Sequence, residues 1–347
     1  MKKATSILAG LLCLVFLSCE KKDFSVNSPK NEEVTVVYGL LDPDAGTHYI
    51  KIYKGFLTEG SAYDAAKDPS RYSYGDSIEV RMDEYNGSKL VRSIRFDTTT
   101  AIPKDSGLFS YPIQCLYCAK ARLKPEYRYL LHIENRYSHK IIEAETQLVG
   151  DIYITYPVLN LAREISFPES DLRIKYKNKS GVPPACYEAS ITYHYTETLN
   201  NGNTRRGEPV VWYVGKDFYN TPRMSIPFQG ETFFRKIAEG VKDDPEVKSR
   251  HTDSIVLNLY KGADDLFKYI QASTIGTGIN QEKIGYTNIR SYASPEAFAE
   301  GKSDDNGLGI FSSKGVTHAI FRDLSISSRD SLFYGRHTKH LKFTDIY

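Results

Sequence analysis

The chain has 347 residues and a formal net charge of +2, from 45 basic and 43 acidic residues. This near balance excludes the basic surface that neutralises nucleic-acid phosphates, so nucleic acid is not an expected partner. Aromatic residues make up 12% of the chain, with 26 Tyr against one Trp, and Tyr and Phe favour strands. At about 150 residues per domain, the length predicts two domains.

The N-terminus has the plan of a secretory signal peptide over residues 1–18. Lys2 and Lys3 form a basic head, an apolar run of about 11 residues is too short to span a bilayer, and Ser18 is a small residue before the cut. Cys19 follows, and the chain then turns polar. This segment resembles a bacterial lipoprotein signal, in which a diacylglycerol is attached to the cysteine thiol. The resemblance implies Cys19 as the lipidation site and membrane lipid as a partner.

Two alternatives to lipidation remain open. In the first alternative, the chain is secreted after a cut near Ser18 and Cys19 stays unmodified. In the second, an uncleaved anchor holds the chain. Lipidation is favoured, and Phe16, where Leu is commonest, is compatible with it. Removal of residues 1–18 takes away two lysines and lowers the formal net charge from +2 to zero. Acyl chains would hold the protein stably, because each buried methylene contributes about 0.8 kcal/mol.

Residues 19–33 are polar and lack an apolar period, which predicts a flexible tether. β-rich runs follow at residues 34–41, 48–56, 77–85 and 89–96. Asn86-Gly87 lies between the last two runs and tolerates the positive φ of a tight turn, which predicts a β-hairpin.

A tyrosine corner is predicted within residues 123–131, whose sequence is Leu-Lys-Pro-Glu-Tyr-Arg-Tyr-Leu-Leu. In immunoglobulin-like and fibronectin-type sandwiches a tyrosine near the penultimate strand hydrogen-bonds back to the backbone of the corner. Leu123 and Pro125 match the corner, and Tyr129 matches the tyrosine. The alternative is an ordinary proline-containing loop, but strands of suitable length on both sides favour the corner. Residues 34–150 are therefore predicted to form an immunoglobulin/fibronectin-III-like β-sandwich.

Residues 151–347 are predicted to form a second β-rich domain with two short helices, so the predicted fold class is mainly β. Helical periodicity predicts helices at residues 232–241 and 263–272. Strands are predicted at residues 172–177, 189–196, 210–214, 254–260, 308–312 and 316–321.

Cys115, Cys118 and Cys186 remain after Cys13 leaves with the signal peptide and Cys19 takes lipid. An odd number of cysteines does not make a disulfide framework. Cys115 and Cys118 have the spacing of a zinc knuckle or a redox pair, but no second Cys or His pair follows at zinc-finger spacing. Buried thiols are favoured, a disulfide within the pair or to Cys186 remains open, and no metal is predicted.

Three stretches carry a family resemblance. They are the lipoprotein start, residues 36–41 (Val-Val-Tyr-Gly-Leu-Leu) followed by residues 49–52 (Tyr-Ile-Lys-Ile), and residues 306–313 (Asn-Gly-Leu-Gly-Ile-Phe-Ser-Ser). Together they resemble a family of Bacteroidota lipoproteins of unknown function that are often encoded beside TonB-dependent outer-membrane transporters. The resemblance implies an outer-membrane lipoprotein with a two-part, mainly β body, and it supplies no catalytic residue. Asn288 also matches the family, but residues 290–305 intervene before the Gly-rich stretch.

Common catalytic motifs are absent from the sequence, which has no Gly-x-Ser-x-Gly elbow, no Gly-x-x-x-x-Gly-Lys loop and no His-Glu-x-x-His motif. His337 and His340 form a close pair, and a solvated tail is favoured over a metal site there. Trp212 and Tyr213 would suit stacking on a sugar ring, but the favoured interpretation buries Trp212 and exposes Tyr213. No catalytic, cofactor-binding or metal site is therefore predicted.

Two hypotheses for the function follow. The favoured one is a lipid-anchored, non-enzymatic binding or accessory protein of the outer membrane, which works with a TonB-dependent transporter or a surface glycan in nutrient uptake. The alternative is a structural or adhesive envelope component, and a surface hydrolase is least favoured. Charge soon after Cys19 is typical of surface-export signals, but Lys21 and Lys22 dilute its acidic character, so the membrane face stays open.

Overall fold

The computed structural model of the chain describes residues 33–55, 61–167, 171–218, 224–275 and 285–344. Strands predominate within these ranges, which confirms the predicted mainly β class. The predicted signal peptide, Cys19 and the tether as far as residue 32 lie outside the described residues. In the described part of the chain, no helix is both long and apolar enough to cross a bilayer.

The first half of the body is built from short strands around a small helical excursion. Its strands are β1 (Thr35–Leu41), β2 (Thr47–Lys54), β3 (Ile78–Asn86), β4 (Lys89–Thr99), β5 (Leu116–Lys120), β6 (Arg128–Asn135) and β7 (Ile141–Gln147). The helices α1 (Ala62–Ala65) and α2 (Pro69–Tyr72) and a 3-10 turn at Gly75–Ser77 lie between β2 and β3.

These strands form two β layers that share one hydrophobic core. One layer contains β1, β2 and β5, and the other contains β4, β3, β6 and β7, each pairing being antiparallel. β4 joins the layers, because residues 89–96 pair with β3 and residues 97–99 pair with β5. Buried side chains of both layers, such as Ile50, Met82 and Leu131, pack in one hydrophobic cluster. This arrangement is compatible with the predicted immunoglobulin-like sandwich.

The tyrosine corner is present where the sequence predicts it. The Tyr129 hydroxyl accepts a hydrogen bond from the Lys124 backbone N–H at 2.6 Å and lies 3.0 Å from the Lys124 carbonyl oxygen. The same hydroxyl lies 3.0 Å from a carboxylate oxygen of Glu84, a buried residue that pairs with Arg92. Burial raises the pKa of Tyr129, so its hydroxyl stays protonated and ties the corner to β3.

The second half of the body contains longer strands and more helix. Its strands are β8 (Asp151–Tyr156), β9 (Glu164–Ile165), β10 (Asp171–Ser180), β11 (Cys186–Leu199), β12 (Thr204–Arg206), β13 (Val210–Phe218), β14 (Ser225–Gln229), β15 (Val247–Gly262), β16 (Arg290–Tyr292), β17 (Gly307–Phe321) and β18 (Asp323–Leu324). Its helices are α3 (Glu231–Gly240), α4 (Asp264–Ile275), α5 (Pro295–Ala299) and α6 (Ile326–Tyr334). The two predicted helices are confirmed as α3 and α4.

A second core lies between two sheets of this half. β12 and β13 pair with one side of β11, β15 pairs with the other side, and β17 follows β15. β10 pairs with β14 and β8 in a separate sheet. Ile191 of β11 and Ile174 of β10 belong to the same buried cluster, to which α3 adds Phe233 and Ile237.

One long strand links the two halves, where the sequence predicts two strands at residues 308–312 and 316–321. β17 is continuous: its residues 307–313 run parallel to β1, and residues 314–321 run antiparallel to β15. The prediction of a break is wrong. Gly315 separates the two predicted strands in the sequence, but the chain does not turn at this glycine. A Cβ at this position would lie 2.6 Å from the Lys261 side chain, which favours glycine there.

The described buried residues divide into two hydrophobic cores, although residues 34–347 form a single compact unit. The first core draws on β1 to β7, and the second draws on β8 and most later elements. Residues of β17 contribute to both cores, for example Phe311 to the first and Phe321 to the second. The domain boundary between residues 150 and 151 stays a prediction.

The insertion at residues 290–305 extends the sandwich. β16 pairs with the edge strand β7, and α5 follows it. Just before the insertion, the Asn288 side chain bonds both backbone groups of Phe311, donating to its carbonyl oxygen at 2.7 Å and accepting from its N–H at 3.0 Å. Asn288 thus anchors the insertion to β17.

The prediction of a solvated tail around His337 and His340 holds only for His340, which is exposed, because the segment packs against the body through buried neighbours. Thr338 and Leu341 are fully buried. The buried guanidinium of Arg250 donates a hydrogen bond to the Leu341 carbonyl oxygen at 2.6 Å. Arg250 and Leu341 are far apart in the chain, so the sequence pattern does not predict this contact. His337 lies 3.0 Å from a carboxylate oxygen of Glu231 and helps to hold the segment against α3.

Candidate functional site

The cysteines of the body are free thiols of intermediate exposure. Cys115 precedes β5, Cys118 lies within it, and Cys186 begins β11. Burial raises the pKa of Cys115, and it raises the pKa of Cys186 to about 11, so both stay protonated near neutral pH. Among the described residues, no group of three His, Cys, Asp or Glu side chains is placed to hold a metal ion. Cys115 and Cys186 therefore offer no activated thiolate.

Trp212 and Tyr213 have the orientations that the favoured interpretation predicts. Trp212 is buried in the second core and packs edge-on against Phe228, with ring centroids 5.6 Å apart. Tyr213 points outward and is 51% exposed. Trp212 is therefore a core residue, and the tryptophan does not form a sugar-binding platform.

A pocket of about 450 Å³ opens on the outer face of the β1–β2 layer. β1 and β2 supply its floor, α2 supplies one wall, and residues 100–115 supply another. We call it the aromatic pocket and define it by Tyr38, Lys51, Tyr53, Tyr72, Lys104, Phe109 and Gln114. No single segment of the sequence predicts this pocket, because its residues come from separate segments that individually resemble strands and loops.

Strand periodicity places the floor of the aromatic pocket. Ile50 and Ile52 of β2 are buried in the sandwich core. Because successive side chains of a strand point to opposite faces, Lys51 and Tyr53 point outward. Tyr38 of β1 lies directly opposite Lys51 in the antiparallel register, so its ring joins the same outer face.

Aromatic rings in contact form the apolar part of the pocket. Tyr53 stacks near Tyr38 with ring centroids 6.2 Å apart, and Phe109 lies 6.2 Å from the Tyr53 centroid. Tyr72 of α2 packs edge-on against Phe109 at 5.2 Å. Each ring is only partly covered, so the cluster presents aromatic surface to solvent.

Tyrosine hydroxyls form a polar rim beside these rings. The Tyr269 hydroxyl, on α4, donates to the Tyr38 hydroxyl at 3.1 Å. Burial, reinforced by the hydrogen bond to Tyr38, raises the pKa of Tyr269 to about 12. Burial also raises the pKa of Tyr53, with Tyr38 and Tyr269 as further causes. The rim is therefore neutral at physiological pH and able to donate and accept hydrogen bonds.

Two lysines supply positive charge to the aromatic pocket. The Lys51 ammonium donates to the Gln114 side-chain oxygen at 3.3 Å. The Lys104 ammonium donates to the Phe109 carbonyl oxygen at 3.2 Å and lies 5.4 Å from the centroid of its ring. Burial, with the nearby charge of Lys104, lowers the pKa of Lys51. Neither lysine forms an ion pair with a carboxylate of the described residues.

The walls of the pocket are held in place by backbone hydrogen bonds. Lys104 N–H donates to the Pro112 carbonyl oxygen at 2.8 Å, which closes the wall formed by residues 100–115 on itself. Ser110 N–H donates to the Ala66 carbonyl oxygen at 3.2 Å and ties this wall to the helical excursion. The pocket is therefore largely formed before any ligand arrives, which limits the entropy lost on binding.

A second cleft, of about 600 Å³, lies between β7 and the start of α4 and is lined by acidic side chains. These acids are engaged by neighbours. The pairs are Glu143 with His132, Glu145 with Arg128, Asp264 with Lys268 and Asp265 with Tyr286. Such pairing gives the carboxylates a structural role and favours the aromatic pocket as the candidate site.

No protein-family model matches the sequence, and no curated protein sequence matches it significantly. The resemblance to Bacteroidota lipoproteins therefore stays a prediction, and the candidate site rests on its own geometry.

Proposed function

We propose that this chain is a lipid-anchored protein of the outer membrane that binds a ligand in the aromatic pocket without converting it. It would act as an accessory component of nutrient uptake, beside a TonB-dependent transporter. The observation that carries the binding role is an open cavity lined by aromatic rings and by two lysines, neither of which pairs with a carboxylate among the described residues. Cavities of about 300–1,000 Å³ with a few polar groups among aromatic side chains are usual for small-ligand sites.

The N-terminal segment supports the anchor and the location. Its basic head, short apolar run and Cys19 have the order of a lipoprotein signal. A polar tether to residue 33 would let the body stand away from the bilayer. The anchor would keep the pocket at the membrane, where a captured ligand can pass to a transporter.

An exposed apolar segment after β8 supports a protein partner. Val158 is 65% exposed, Leu159 is 50% exposed and Leu161 is fully exposed. Tyr153 and Tyr156 of β8 add exposed aromatic surface beside them. Exposed apolar surface of this kind is typical of protein contacts, and we assign it to the transporter.

Purification of the native lipoprotein from detergent-solubilised membranes tests the accessory role. We expect a TonB-dependent transporter to co-purify. Strains that lack the chain, or that carry Phe109→Ala, should take up fewer of a panel of carbon sources than the parent. Tyr137→Ala, a change of an exposed aromatic residue outside the pocket, is the matched control. A lipoprotein that always purifies alone, together with unchanged uptake in the deletion strain, would contradict the proposal.

A further inference from the structure

We infer that the aromatic pocket binds an acidic sugar, meaning a pyranose ring that carries a carboxylate. The inference rests on the proposed binding role of the pocket and names the chemical class of its ligand. It combines the apolar surface, the hydroxyl rim and the positive charge of the pocket, each of which matches a different part of such a ligand.

The apolar surface matches the ring of a sugar. A pyranose presents a face of C–H bonds that packs against aromatic rings, with hydroxyls around its edge. Phe109 lies against both Tyr53 and Tyr72, and all three rings are incompletely covered. The volume of about 450 Å³ holds one or two sugar rings, and the open side lets a longer chain continue into solvent.

The hydroxyl rim favours a sugar over a planar aromatic acid. A tyrosine hydroxyl has one donor and two acceptor positions, and the mutual bond between Tyr38 and Tyr269 fills only part of them. The Gln114 amide nitrogen has only long contacts, at 3.4 Å, to the carbonyl oxygens of Ile102 and Pro103. Sugar hydroxyls donate and accept, so they satisfy such groups. Benzoate, a planar aromatic acid without hydroxyls, cannot do so.

The charge of the pocket selects an acidic sugar. Lys51 and Lys104 line the same cavity, and the charge of Lys104 is one cause, after burial, of the lowered pKa of Lys51. A ligand carboxylate near Lys51 would relieve this repulsion and form a charge-assisted hydrogen bond. A neutral sugar would leave both ammonium groups without a counter-ion.

The test uses the full lipoprotein purified in detergent. The protein is applied to an array of uronate- and sialate-bearing oligosaccharides, their neutral counterparts and benzoate. The compounds that bind are then titrated by calorimetry. We expect at least one acidic glycan to bind, its neutral counterpart to bind about tenfold more weakly or worse, and benzoate not to bind. Lys51→Met and Lys104→Met should each weaken the acidic glycan about tenfold. Lys89→Met, at an exposed position on β4, is the matched control and should bind like the parent.

Several outcomes would overturn the inference. Equal binding of acidic and neutral glycans, unchanged affinity in both lysine variants, or preference for benzoate would each do so. If Phe109→Ala abolishes binding of a neutral ligand while the lysine variants bind normally, the ligand class is wrong and the binding role stands. If no compound binds and the deletion strain takes up nutrients normally, both fail. Circular dichroism and the unfolding midpoint of each variant establish that it is folded.

Discussion

The ammonium group of Lys261 donates a hydrogen bond to the carbonyl oxygen of Gly150 at 2.8 Å, joining β15 of the second half to the link after the sandwich. The Lys261 side chain is 2% exposed and lies 3.7 Å from a carboxylate oxygen of Asp151. Nearby, the buried Ser313 hydroxyl accepts from Val149 N–H and donates to the Leu41 carbonyl oxygen, both at 3.0 Å. Buried polar contacts therefore hold the two halves of the body together.

Lys261→Met should destabilise the protein by about 1–3 kcal/mol, because it leaves the buried Gly150 carbonyl without its charged donor. Urea unfolding followed by circular dichroism measures the change in the free energy of unfolding. Lys314→Met, at an exposed position on β17, is the matched control and should have little effect. Equal stability of the two variants would show that the Lys261 contact is not a strong link.

Tyr129→Phe should lower the free energy of unfolding by about 1–3 kcal/mol, since the Lys124 N–H loses its acceptor and the buried Glu84 carboxylate loses a hydrogen-bond donor. Tyr127→Phe is the control, because the Tyr127 hydroxyl has a single long contact with the Lys124 ammonium at 3.3 Å. Thermal and urea unfolding should both rank Tyr129→Phe as the less stable variant. The reverse ranking would show that the tyrosine corner does not stabilise the sandwich.

Gly309→Ala should disrupt the pairing of β1 with β17. Gly309 has a φ of +102°, and a Cβ there would lie 2.0 Å from the Val37 carbonyl oxygen. We expect a loss of about 2–4 kcal/mol in the free energy of unfolding. Gly46→Ala is the control, because its Cβ would meet open space at an ordinary φ. Similar stability of both variants would contradict the close approach of the two strands.

The affinity of the aromatic pocket for an acidic glycan should fall as pH rises from about 7 to about 10. Lys51 is charged below its pKa, which burial and then Lys104 lower from the ordinary value of 10.5. The attraction is therefore lost at a lower pH than an ordinary lysine would allow. The raised pKa values of Tyr53 and Tyr269 keep these rim hydroxyls neutral over the lower part of this range.

Calorimetric titration across this range measures the effect, and Lys51→Met supplies its control. The variant should bind more weakly at neutral pH and lose the early part of the decline. A pH profile identical to that of the parent would assign the charge dependence to another group.

Local signals in the sequence correctly predict two features of the first half, a hairpin and a tyrosine corner. Asn86-Gly87 produces the predicted hairpin because Gly87 has a φ of +59°, which matches the positive φ that a tight turn requires. Tyr129 forms its corner with Lys124, only five residues earlier. Each feature depends on residues close together in the chain, and such features can be predicted from pattern alone.

The features that were missed depend on distant partners. Residues 36–41 and 307–313 were related only through a resemblance, and the structure places them side by side as parallel strands. The C-terminal segment is held because the buried Arg250 guanidinium donates a hydrogen bond to the Leu341 carbonyl oxygen. The aromatic pocket unites β1, β2, α2 and residues 100–115, and no periodicity in any one segment indicates that its tyrosines and lysines share a cavity.

The state of Cys19 tests the central claim most directly, because the outer-membrane location and the proposed partners depend on the lipid anchor. The measurement is mass spectrometry of the N-terminal peptide of the native protein, isolated from membranes. The account predicts that the mature chain begins at Cys19 with a diacylglycerol on its sulfur and that Cys19→Ala partitions into the aqueous phase. A mature protein with an unmodified Cys19 thiol, recovered in the aqueous phase like the variant, would contradict the account.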